Sequence, residues 1–240
     1  MGGQVVDTVT AEEFMQQVLE KISRDEMEAI AAACDRKAAR FGELLAPGPL
    51  DDEGARALLG MMFGARRQAD AILASLGSGG FGRAAADLVG GTGSISERFD
   101  AFAGSLQGYE DRGSDIAGEL LHWSDPDRYW LWTKWMWDPR TETGSLRLVT
   151  MEEVDLYGAT PGETYLKVGQ AVAFVNETGR AVGFTAIGNE RFGINVFLAC
   201  AYGIYMYTVL RMRMTQEFNQ IVPALPELAR RLLGVYRLEA

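Results

Sequence analysis

Apolar side chains recur at helical spacing through most of the chain, and capping residues punctuate them. Thr10-Ala-Glu-Glu13 has the capping-box form, in which hydroxyl and carboxylate satisfy backbone NH groups reciprocally, and it predicts a helix from Ala11 to about Ile22. Ser23 caps a second helix from Arg24 to about Leu45, with Met27, Ile30, Ala31 and Cys34 apolar and Pro47 and Pro49 ending it. Asp51 and Asp52 open a third, through Leu58, Leu59, Met62 and Phe63 to Leu76, where Gly77 is a left-handed stop. A short helix near Arg83–Leu88 follows the loop GSGGFG. Ser94 or Ser96 then caps a helix to about Leu106 that carries Phe99 and Phe102, and another covers Ser114–Trp123. Asp125-Pro126 supplies an N-cap with proline in the first helical position, predicting a helix to Asp138 that Pro139 stops.

Beyond it, Leu146, Leu148 and Thr150 alternate as in one short strand, so a minor strand pair near 144–150 is expected. Thr150-Met-Glu-Glu153 repeats the capping pattern for a turn or two of helix. Thr160-Pro-Gly-Glu163 begins a longer helix, to about Glu177, closed by Gly179. The apolar run Ile194–Leu210 is shorter than the roughly twenty residues a bilayer requires. It reads as a buried core helix that continues to about Val222. Leu225-Pro226-Glu227 starts the last helix, to about Val235. No sustained strand alternation and no repeat period is present. The fold class expected is mainly α: one irregular multi-helix domain over residues 1–240, in two lobes, 1–90 acidic and helical and 91–240 a Trp-rich helical core.

Composition narrows the partners. Net charge is −10, and residues 1–120 carry 20 acidic against 11 basic side chains. An acidic surface repels phosphate backbones, so charge disfavours nucleic acid as a partner. Two cysteines and one histidine are too few for a disulfide framework or a structural zinc site. MGGQVVDTVTAEEF lacks a basic segment and a long apolar run, so a cytoplasmic location is expected, with no membrane span. GSGGFG, at 77–82, reads as a helix–helix connection rather than a phosphate cradle, since no strand precedes it and no Lys-Ser/Thr follows.

All five tryptophans fall within fifteen residues: Trp123, Trp130, Trp132, Trp135 and Trp137, with the only histidine, His122, beside the first. A helix with large aromatics all round is buried or covered by a partner. Three roles stay open: a core keystone, a partner-binding surface, or a stacking platform for a flat ligand. Glu119 and His122 share a helical face, where a carboxylate orients an imidazole and raises its pKa. No nucleophile motif accompanies them, so no catalytic residue, metal ligand or cofactor is assigned. The candidate partner- or ligand-binding residues are Glu119, His122, Trp123, Trp130, Trp132 and Trp135.

Within ELLHWSDPDRYWLWTKW, the residues Leu120, Leu121, His122, Pro126, Tyr129 and Trp132 resemble the LLHFLxPxxYPxW segment of helical modules in some restriction and phage-defence proteins. The resemblance implies nucleic-acid recognition or regulation in a defence system. From the residues themselves, the expected function is a non-catalytic accessory or adaptor subunit that binds a protein partner. A small-molecule-binding protein or hydrolase with an aromatic pocket around His122 is the third possibility.

Overall fold

A computed structural model describes residues 4–46, 50–183, 185, 191–213, 223–236 and 238. The chain is mainly helical, with eleven helices and no sheet among the described residues. Among the described residues, extended pairing is confined to two isolated bridges, Val6 with Thr150 and Asp138 with Thr143. No described helix is long and apolar enough to cross a membrane. The residues divide into two compact units, each assembled from separate stretches of chain.

The first unit comprises 1–34, 134–154 and 171–240. It holds α1 (Thr8–Leu19), the start of α2 (Arg24–Leu44), α8 (Ser145–Val149), the end of α9 (Pro161–Val182), α10 (Gly193–Arg213) and α11 (Leu225–Leu232). Helix α10 is its axis: α1, α8 and α11 all pack on it. Ile194 through Ala201 are buried on every side, as the apolar run requires of a core helix. Gly203 lets α11 approach, because a Cβ there would meet Leu225 Cδ1 at 2.5 Å. The expected continuation of α10 over 214–222 lies outside the described residues, as do Pro47 and Pro49.

The second unit comprises 35–133 and 155–170. It holds the rest of α2, α3 (Asp52–Gly60), α4 (Ala69–Leu76), α5 (Gly80–Gly90), α6 (Ile95–Ser105), α7 (Glu110–Ser124) and the start of α9. Ser94 and Glu97 form the full capping box of α6. Helix α7 lies close against α6: a Cβ on Gly113 would fall 2.7 Å from the Ala103 carbonyl oxygen.

Several local expectations are corrected. Helix α1 starts at Thr8, because the Asp7 carboxylate, rather than Thr10, takes the cap and accepts from the Thr10 NH. The helix expected over 51–76 breaks after Gly60, where Met61 and Met62 turn with tighter i→i+3 bonds to Leu58 and Leu59. The strand expected at 144–150 is helix α8, leaving Thr150 alone to bridge Val6. In place of the helix expected from Thr150-Met-Glu-Glu153, Met151–Val154 form a single turn closed by the Val154 NH on the Met151 carbonyl.

The largest correction concerns the tryptophans. Helix α7 ends at Ser124, and the segment expected as a helix to Asp138 runs instead as turns and extended chain. Asp125 accepts from the Arg128 and Tyr129 NH groups for a single turn. Then Trp135 and Met136 give their carbonyls to the NH groups of Ser145 and Leu146. These non-local partners satisfy the backbone that a helix would have satisfied internally.

Candidate functional site

Two i,i+4 pairs face one another inside the second unit: Lys37 and Phe41 on α2, Glu119 and Trp123 on α7. Lys37 is fully buried and Glu119 is 3% exposed. Glu119 Oε2 accepts from Lys37 Nζ at 2.7 Å and from Trp123 Nε1 at 3.1 Å. The ammonium lies 4.3 Å from the centre of the Trp123 ring and 5.6 Å from that of Phe41. Burial pushes the Glu119 carboxyl above its ordinary range, and the Lys37 charge and the two hydrogen bonds pull it back. The ion pair, the indole NH and the ring face together satisfy a lysine that would otherwise be expensive to bury.

This arrangement replaces the expected Glu119–His122 couple. The polar partners of Glu119 are Lys37 and Trp123. His122, 1% exposed, places Nδ1 2.7 Å from the Tyr129 carbonyl oxygen, which can only accept, so Nδ1 carries the proton. Its ring meets that of Trp123 edge-on, with centroids 4.7 Å apart.

Trp132 stacks on Phe99 at 5.7 Å, and Phe99 stacks on Tyr165 at 4.8 Å. The Trp132 carbonyl crosses α7 at Gly118, where a Cβ would lie 2.1 Å from that oxygen. Tyr165 donates its hydroxyl to the Trp130 carbonyl, and burial raises the Tyr165 pKa far above its usual value. The Tyr129 hydroxyl and Thr133 Oγ1 are buried without a hydrogen-bond partner.

Trp135 and Trp137 belong to the first unit. The Arg147 guanidinium lies 5.0 Å from the centre of the Trp137 ring and donates to the carbonyls of Glu152 and Val154. Trp135 rests against Tyr202, centroids 6.2 Å apart, and Tyr202 against Tyr205 at 6.1 Å. The six candidate residues are therefore divided: Glu119, His122, Trp123, Trp130 and Trp132 in one unit, Trp135 in the other. All but the half-buried Trp130 are interior.

The glycine loop is occupied by the chain itself. Asp52 accepts from the Gly79 NH at 2.9 Å and from the Ser78 hydroxyl at 3.1 Å, as a helix–helix connection would have it. A surface cavity of about 390 Å³ lies beside it, lined by Leu45, Leu50, Gly82, Arg83, Ala85 and Val89 among others. No three His, Cys, Asp or Glu side chains among the described residues are placed to hold a metal ion.

No family model matches this chain, and neither does any curated protein or solved structure. The resemblance of residues 119–135 therefore stands on those residues alone.

Lys37 was the residue sequence reasoning missed. Its signal was its place on the apolar stripe of α2, in register with Ile30, Cys34 and Phe41.

Proposed function

We propose that this chain is a non-catalytic accessory subunit that binds a protein partner within a cytoplasmic assembly. One observation carries the reading. Phe174, Thr178, Ala181 and Val182 share a face of α9 at i, i+4, i+7 and i+8, and that face meets solvent. Phe174 is 40% and Val182 49% exposed. Single exposed apolar residues are ordinary, but anchors repeated at this spacing suit a helix-in-groove or helix-on-helix contact. The interior use of Lys37, Glu119 and His122 supports the non-catalytic half of the reading, since side chains committed to one another inside the unit do not meet a substrate.

The test is recovery of the full chain from its native source beside a Phe174→Asp, Val182→Asp variant of equal helicity. A partner at fixed stoichiometry, lost from the variant, is the expected result. A lone monomer, or a partner held equally by the variant, overturns the proposal.

A further inference from the structure

The surface cavity of about 390 Å³ lies wholly within the second unit. Leu45 and Ala46, just past the end of α2, and Leu50, just before α3, line it together with Arg83, Ala86 and Val89 of α5. Its elements are fixed on one another. A Cβ on Gly82 would lie 2.1 Å from the Leu50 carbonyl oxygen, and one on Gly54 of α3 would lie 2.7 Å from Leu50 Cδ1. Asp52 ties the loop before α5 to the start of α3, through the Gly79 NH and the Ser78 hydroxyl. Small-molecule sites are typically pre-formed cavities of roughly 300–1,000 Å³, mostly apolar with a few polar groups, and this cavity has that size and make-up.

Arg83 is the one charged residue among the described lining. It is exposed, and its guanidinium turns back along α5: Nη1 lies 3.2 Å from where a Cβ on Gly79 would stand, and Nη2 3.9 Å from one on Gly80. Among the described residues the guanidinium has no hydrogen-bond or ion-pair partner. Asp52 is engaged by Gly79 and Ser78, and Asp87, one turn further along α5, forms no ion pair with Arg83. An apolar hollow thus carries a single cation with its donors uncommitted.

We infer that this cavity binds a small monocarboxylate with an aliphatic body, of the class of a short- or medium-chain fatty acid. The planar guanidinium matches a carboxylate with two parallel hydrogen bonds, while Leu45, Leu50 and Val89 cover the alkyl chain. The described lining holds no aromatic ring, so nothing there favours a flat ligand by stacking. A phosphate dianion would meet one cation only, on a chain whose net charge is −10. An organic cation would be repelled by Arg83.

The experiment is an NMR titration of the isotope-labelled full chain with sodium octanoate at matched ionic strength, with octanamide as the uncharged control. Saturable millimolar binding is expected of so small a ligand, with shifts centred on the amides of Gly79, Gly82 and Ala86 and a clear preference over octanamide. Butanoate should bind more weakly, by about twofold to fourfold for each methylene that leaves the apolar lining. Arg83→Gln should weaken octanoate by about threefold to tenfold and remove the preference over octanamide. Ala86→Leu, which fills the cavity from an exposed position, should weaken both ligands. Circular dichroism confirms that each variant folds. No saturable binding by the folded chain, equal binding of octanamide, or indifference to both substitutions overturns the inference. The measurement needs no protein partner, so its outcome is independent of that of the accessory-subunit proposal.

Discussion

Lys37 Nζ lies 2.7 Å from Glu119 Oε2, and both side chains are shut away from solvent, 82 residues apart in the chain. Breaking such a pair leaves one buried charge uncompensated, whereas removing both charges together leaves none. Glu119→Leu alone should cost about 3–5 kcal/mol, and the double variant Lys37→Met, Glu119→Leu should recover most of that or exceed the wild type. Urea unfolding of the three proteins decides it. A double variant as unstable as the single one would mean that packing, and not charge, dominates here.

Gly118 has no room to grow. The Trp132 carbonyl carbon as well as its oxygen lies within 3.1 Å of where a Cβ would stand, and backbone cannot step aside as a side-chain tip can. Gly118→Ala should therefore destabilise by about 1–3 kcal/mol or more, despite the higher helix propensity of alanine. Thermal unfolding would show it. Gly104→Ala, on neighbouring α6 with nothing within 4 Å, is the control expected to be neutral or stabilising.

Both cysteines, Cys34 and Cys200, are fully buried within the first unit. Burial pushes the Cys200 thiol up to about 12, so little thiolate forms at neutral pH. The native protein should resist iodoacetamide, and alkylation at Cys200 should proceed only as the first unit opens. Mass spectrometry across a urea series follows this directly. Rapid modification of the native state would contradict the burial.

Hydrogen bonds from Ser94, side chain first and then backbone, hold the Glu97 carboxyl below its ordinary value, and Thr10 does the same for Asp7. A carboxyl lowered in the folded state stabilises above its unfolded pKa and ceases to do so as pH falls through the folded one. The stabilisation from both caps is thus present at neutral pH and fades as acid passes below about 4. Ser94→Ala should lower the Tm at pH 7, and that deficit should shrink towards pH 3. A deficit constant with pH would exclude the Glu97 carboxylate as its source.

Features written in adjacent residues were legible in the sequence. Ser23 with Glu26 and Ser94 with Glu97 exchange their hydrogen bonds within three positions, Thr160 Oγ1 accepts from the Glu163 NH at the same spacing, and each helix starts where its cap lies. The tryptophan segment was misread because its conformation is decided at a distance. Asp125-Pro126 is a good helix start, but the Met136 carbonyl bonds to Leu146 and the Trp132 carbonyl lies over Gly118, contacts that no local periodicity encodes. The partner of Glu119 was hidden in the same way. Helical spacing rightly places Glu119 and His122 on one turn of α7, but the carboxylate answers to a lysine on another helix.

The packing of α1 on α10 also constrains how the protein is made. The buried face of α1, Ala11, Met15 and Val18, is synthesised well before residues 193–213, which pack on it. At roughly 5–20 residues per second, the wait is about 10–35 s. For most of that time α1 has neither α8 nor α10 to pack on, and once α8 has emerged the part of its apolar face that α10 covers still waits. An apolar face left waiting that long is open to aggregation until the later helix arrives.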